Sequence, residues 1–236
     1  MKKFEFFHKF LSSAVGAVLL AQAAAAGAQS SGLLYDPEPP ANSAYVRVIH
    51  ISRQSAVDLI VDGKPRVRNL SGGEASDYLV IPAGQHTFAL HPAGKSAASV
   101  STTMDVDSGR AITVAFPALR ADAKPLVFED KANSNMLKAV LAVYQLDTRS
   151  GPMDVLTADG KTRVFTNVAS GASSQLSVNP ITIELVAAKS GDKAIQARAT
   201  VAMAPGGTYS FLLLPGEDGK VVARAVQNKV ERYTGN

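Results

Sequence analysis

The 236-residue chain has no cysteine and no tryptophan. The first absence removes disulfides, thiolate nucleophiles, cysteine-ligated zinc and iron–sulfur clusters together. The second leaves only tyrosines such as Tyr35, Tyr45 and Tyr78 to stack on a sugar ring, in a chain whose aromatic content is 6%. Four histidines make metal chemistry thin, and no cofactor motif is present. A sustained 3.6-residue apolar stripe is also missing downstream of the N-terminus, so helices are not expected to build the body of the protein. With 46% hydrophobic and 19% charged residues, the chain nevertheless has the composition of a folded protein.

The N-terminus reads as a targeting segment. Lys2, Lys3 and Lys9 precede an uncharged, alanine-rich run from Phe10 to Ala26, and Ala26-Gly27-Ala28 is a small-x-small site. This is the pattern of a secretory signal peptide over 1–28, with cleavage between Ala28 and Gln29. The apolar run is short and weakly hydrophobic for a bilayer crossing, so contact with a membrane complex is expected to be peripheral at most. Removing the segment lowers the formal net charge from +4 to +2. The remaining cations are scattered, whereas counterion-release binding needs them clustered, so nucleic acid is not an expected partner. A cysteine-free exported chain suits the Gram-negative periplasm, where nothing in it can mispair.

Residues 29–42 contain Pro37, Pro39 and Pro40 and are expected to form an extended arm. From Ala44 the texture changes to short β-branched runs between turn residues. Tyr45 to Ile51, Val57 to Val61, Arg66 to Arg68, Tyr78 to Ile81 and His86 to Leu90 all read as strands. Asp62-Gly63 between two such runs signals a type I′ hairpin, and Asp159-Gly160 and Asp218-Gly219 are expected to repeat the device.

The second half echoes the first. Val48 matches Val143, Asp58-Leu59 matches Asp154-Val155, Asp62-Gly63-Lys64 matches Asp159-Gly160-Lys161, Asn69-Leu70 matches Asn167-Val168, and the offset drifts only between 95 and 98 residues. Such drift is what small loop insertions in a tandem duplication produce. Each half has the size and turn rhythm of a β-sandwich. The expected fold is therefore all-β: two tandem Ig-like or jelly-roll-like sandwiches over 43–130 and 138–230, joined by a linker over 131–137.

Candidate chemistry is sparse. Gly171-Ala172-Ser173 lacks the second glycine of a nucleophile elbow, and Ser190-Gly191-Asp192-Lys193 has turn composition where S-x-x-K needs a helix. Gly94-Lys95-Ser96 lacks the leading glycine and following helix of a phosphate loop. His86 and His91 fall on opposite strand faces, and His50 and His86 share parity with core residues, so structural roles are expected for all three. Asp58 and Asp62 share a strand face, which fits solvent-facing acids as well as a hydrolytic pair. Arg66 and Arg68 alternate around Val67, and Arg47 sits on a neighbouring predicted strand. Two readings of this stripe stand: contact with uronate carboxylates or an acidic partner, or solvated edge-strand charges that discourage aggregation.

The arm Gly32-Leu33-Leu34-Tyr35-Asp36-Pro37-Glu38-Pro39-Pro40, followed by Ser43-Ala44-Tyr45-Val46-Arg47-Val48, resembles the opening of the AlgF family. The resemblance spans both repeats, from about residue 32 to 230, with a fuller arm and a longer 122–138 region. It implies a two-domain periplasmic accessory protein for O-acetylation of the mannuronate residues of alginate. Such a protein acts beside a periplasmic acetyltransferase, its expected partner, and the family supplies no catalytic residue to carry over. A stand-alone module that binds the mannuronate polymer through Arg47, Arg66, Arg68 and Tyr35 is the alternative.

Overall fold

The computed structural model describes residues 38–53 and 55–234. The expected signal segment with its Ala28–Gln29 cleavage site, most of the arm, and Tyr35 lie outside them. The described residues fall in one compact unit, and among them the regular structure is all strand apart from a single 3-10 turn at Glu217–Gly219. Among the described residues no helix is long and apolar enough to cross a membrane.

Nine strands precede the linker: β1 (Ser43–His50), β2 (Val57–Val61), β3 (Lys64–Leu70), β4 (Glu74–Ala75), β5 (Leu79–Pro82), β6 (Gly84–Pro92), β7 (Val100–Val106), β8 (Ala111–Phe116) and β9 (Leu126–Asp130). They form two sheets, one ordered β4-β1-β8-β9 with β5 also on β1, the other β3-β2-β6-β7. After the linker come β10 (Ala139–Gln145), β11 (Met153–Thr157), β12 (Arg163–Val168), β13 (Ser173–Val178), β14 (Thr182–Lys189), β15 (Ile195–Ala202), β16 (Thr208–Pro215) and β17 (Val221–Gln227). Their sheets, β13-β10-β16-β17 and β12-β11-β14-β15, repeat the first topology, with β13 in the place that β4 and β5 share. Even the rarer feature recurs, since β1 runs parallel to β8 and β10 parallel to β16.

The repeat extends to local chemistry. Asn69 and Asn167 both adopt left-handed φ values, 54° and 53°, a region asparagine tolerates better than most residues. Each lies at a register shift in its hairpin, where the bulged backbone loses its ladder partner. A carboxylate takes over: the Asn69 N–H donates to Asp58 Oδ1 at 2.9 Å and the Asn167 N–H to Asp154 Oδ1 at 2.8 Å. Asp58 also accepts from the Gly94 N–H at 3.2 Å, and Asp154 from the Ser190 hydroxyl at 2.7 Å.

The Asp-Gly dipeptides are not equivalent. Asp62 and Gly63 both have positive φ, 50° and 77°, as a type I′ turn requires. At Asp159-Gly160 only the glycine does, and the Asp159 carboxylate instead accepts from the Thr157 hydroxyl at 2.5 Å and the Lys161 N–H at 3.1 Å. Asp218-Gly219 falls in the 3-10 turn. The same dipeptide closes different loops because loop length selects the turn: Asp62-Gly63 alone spans the gap between β2 and β3, whereas the other two sit inside longer connections.

Alternation along the strands distributes three cores. Even-numbered residues of β1, Ala44, Val46 and Val48, face the first sandwich's interior with Leu59, Phe88 and Val114. Odd-numbered residues of β10, Ala139, Leu141 and Val143, face the second interior with Val155, Phe165 and Phe211. The opposite faces of these two sheets meet: Ile49, Ile51, Ala115 and Phe128 pack with Ala142, Tyr144, Leu146 and Leu212. Strands β1 and β10 are therefore buried on both sides, which is why they read as near-continuous apolar runs.

The C-terminal segment crosses this seam. Tyr78 N–H donates to the Lys229 carbonyl at 2.8 Å, and Glu231 N–H to the Tyr78 carbonyl at 2.9 Å. Glu231 Oε1 then accepts from the Val80 N–H at 2.8 Å and from Arg66. A side chain thus covers part of the open edge of β5.

Candidate functional site

The seam holds a polar cluster drawn from both sandwiches. In β1 the residues opposite the first core are Tyr45, Arg47 and Ile49, so strand alternation drives Arg47 between the sandwiches, where it is 1% exposed. Its fork is filled. Nε donates to Thr113 Oγ1 at 2.8 Å, Nη1 to Asn228 Oδ1 at 2.5 Å and Nη2 to Ser210 Oγ at 2.9 Å. The guanidinium also lies over two rings, 4.8 Å from the centroid of Tyr78 and 5.2 Å from that of Tyr144, a favourable placement for a desolvated cation. Asp130, the last residue of β9, accepts from the Thr113 hydroxyl at 2.5 Å, from the Tyr78 hydroxyl at 2.8 Å and from Tyr144.

Thr113 links the two charges, accepting from the cation and donating to the anion. A charge out of water is tolerated only when its donors or acceptors are satisfied, and here residues from β8, β10, β16, the C-terminal segment and Tyr78, just before β5, supply them. Burial raises both tyrosines, with the Asp130 carboxylate adding to it and Arg47 opposing. Tyr144 is pushed to about 12 and Tyr78 rises too, so both remain phenols at neutral pH.

Above this network lies a cleft of about 440 Å³. Its walls come from both sandwiches, from the linker at Lys131 and Asn133, and from the C-terminal segment at Asn228, Lys229 and Val230. A larger cleft of about 660 Å³ opens beside β3 and the chain end, but its charged residues include the pairs Arg66 with Glu231 and His86 with Asp62.

The three arginines do not form one stripe. Arg47 belongs to the inner sheet and is buried, whereas Arg66 and Arg68 lie on β3, the edge strand of the outer sheet that also carries Pro65. Arg66 holds Glu231, and Arg68 is exposed with its charge acting on Asp58. Tyr78, a candidate stacking platform, is 7% exposed and committed to Arg47 and Asp130, while Tyr45 is half-buried at the cleft.

The titratable groups serve the scaffold. His86 Nδ1 lies 2.6 Å from Asp62 Oδ2 and Nε2 2.9 Å from the Pro82 carbonyl. Both ring nitrogens thus face protein acceptors rather than open solvent. Asp58 is held below the usual carboxylate range by the Asn69 and Gly94 N–H groups. At Asp62 and Asp154 burial opposes ionisation, but bonds from Thr87 and His86, and from Asn167 and Ser190, outweigh it. None of the three is poised as a general acid near neutrality. Ser190, of the S-x-x-K fragment, spends its hydroxyl on Asp154. Histidine-ring hydrogen bonds among the described residues go to Asp62 and Pro82, none to a serine.

Thr113, Ser210, Asn228 and Asp130 escape sequence reading. One signal points toward them: Arg47 is flanked by Tyr45, Val46, Val48 and Ile49, and a cation inside such a run needs buried partners.

Comparison with known proteins gives a consistent picture. The chain is 26% identical over 191 residues to the alginate biosynthesis protein AlgF of Pseudomonas putida, covering 79% of each protein. It is 28% identical over 215 residues to the alginate biosynthesis protein AlgF of Pseudomonas aeruginosa, covering 91% of this chain and 92% of that one. A solved structure of the C-terminal domain of AlgF from P. aeruginosa matches with 25% identity and a TM-score of 0.33, over 39% of this chain and 99% of that domain. The family model described as "Alginate O-acetyl transferase AlgF" matches residues 17–210, which spans the first sandwich and the second as far as the start of β16. The chain belongs to the AlgF family.

Proposed function

We propose that this protein is a non-catalytic adaptor of alginate O-acetylation, exported to the periplasm, where it docks an acetyltransferase. The carrying observation is membership of the AlgF family in a chain whose reactive-looking side chains are taken up by the fold. Arg47 is sealed in the seam, His86 faces acceptors on both nitrogens, Ser190 anchors Asp154, and Asp58 anchors a bulge. Acyl transfer through a covalent intermediate needs a nucleophile with a base in reach, and these residues supply none. The family name places the protein in the pathway, and its role there is physical coupling. Support for export comes from the cationic, then apolar, then small-residue N-terminus.

The test has two arms. A tagged copy recovered from the periplasm of alginate-producing cells is expected to bring an alginate acetyltransferase with it. Incubation of the purified chain with an activated acetyl donor is expected to leave its intact mass unchanged. A stoichiometric acetyl adduct of about 42 Da on a single serine or histidine would make it a transferase. The alternative of a stand-alone polymer-binding module has less support, because Tyr78 and Tyr144, 7% and 1% exposed, have no free ring faces for a sugar.

A further inference from the structure

We infer that the cleft over the seam is the adaptor's docking slot and that its occupant is a short acidic peptide segment of a partner protein, flanked by apolar residues. The inference rests on the adaptor reading and adds to it the face and the chemistry of the contact.

Three features carry it. First, the cleft exists only where the two sandwiches meet, and its walls combine Tyr45 and Ala111 of one with Val140 and Ala142 of the other. Its volume of about 440 Å³ suits a few side chains, and sites of this kind favour domain junctions.

Second, its charges are unbalanced. Lys131 on the linker and Lys229 on the C-terminal segment line it. Both are exposed, and neither side chain has an ion-pair partner among the described residues. The one carboxylate in the lining, Asp130, is already occupied by Thr113, Tyr78 and Tyr144. The slot therefore offers ammonium groups over apolar walls with no free anion to answer them, and electrostatic complementarity calls for a carboxylate.

Third, a uronate polymer would supply carboxylates but also needs exposed ring faces or a long open cationic groove. Tyr78 and Tyr144 are turned to Arg47, which leaves Tyr45 as the one other tyrosine in the lining, and the lysines number two. A peptide places one or two acids among apolar side chains, which matches what the walls offer.

The test uses the full-length mature protein captured with its partners from alginate-producing cells and treated with a carbodiimide, which joins amines to carboxylates in direct contact. Amide links from Lys131 or Lys229 to an Asp or Glu of an acetylation protein are expected. The double variant Lys131→Gln/Lys229→Gln should keep the native melting profile while binding that protein roughly tenfold more weakly.

If the complex forms at full affinity with the double variant and no link reaches either lysine, the docking face lies elsewhere, although the adaptor reading stands. Recovery of no acetylation protein by the wild type overturns both. Mannuronate oligomers that perturb the NMR signals of Tyr45, Lys131 and Lys229 would replace the peptide with the polymer and overturn the assignment.

Discussion

The Arg47 guanidinium, contributed by the first sandwich, lies 5.2 Å from the ring centroid of Tyr144, contributed by the second. Around that contact a cation is held out of water by three hydrogen-bond acceptors and two aromatic faces. Arg47→Met should leave the half-buried Asp130 without its counter-charge and Ser210 without its donor, with Asn228 Oδ1 keeping only the Ser210 hydroxyl at 2.8 Å. Removing one partner of such a cluster costs about 3–5 kcal/mol, to be read from urea denaturation. Arg47→Lys, which keeps the charge but loses the planar fork, should recover only part of it.

Asp58 and Asp154 give the stability its acid limb. Both carboxyls lie below their ordinary value near 3.8 in the folded state. The unfolded chain therefore takes up protons first, and the stabilisation, complete above that value, is lost as pH falls through it toward the folded values. Asp58→Asn and Asp154→Asn should each flatten the stability profile below about pH 4 and cost about 1 kcal/mol at neutrality. Parallel behaviour of the two variants would follow from their shared role at the Asn69 and Asn167 bulges.

His50 acts in a higher window. It is fully buried, and burial lowers its pKa from the ordinary 6.5, opposed in part by the Leu70 backbone. The neutral ring fits the fold and the charged one does not. Stability should decline as pH drops below about 6.5, where the unfolded state gains the proton, and level off below the folded pKa. His50→Leu should abolish that decline in a thermal-melt series between pH 8 and 5.

Glu231 ties the chain end to the first sandwich. Glu231→Ala frees Arg66 and leaves the Val80 N–H without its 2.8 Å partner. With both side chains of the ion pair partly exposed, global stability should fall by only about 1 kcal/mol or less. Hydrogen exchange at the Val80 amide should accelerate, while that at Val48 in the core stays unchanged.

The repeat was legible because duplication preserves spacing: Asp58 and Asp154, Asn69 and Asn167, and the strands around them stand at near-constant offsets and do the same work. The first I′ turn was legible for a similar reason, since Asp62-Gly63 is local chemistry between two short strands. Arg47 was not. Alternation puts it on the face away from the first core, and a charged residue on such a face is ordinarily wet. What makes it dry is a second sheet, and its partners Ser210 and Asn228 lie far along the chain, 163 and 181 residues away. The cleft was hidden for the same reason, because it is made where two repeats touch.

The duplicated halves share a seam in which both inner sheets lose their outer faces to one another, and the linker and the returning chain end cross it on the way. Two halves joined in this manner cannot swing about the linker: each sandwich sets the distance and angle of the other through a shared apolar face.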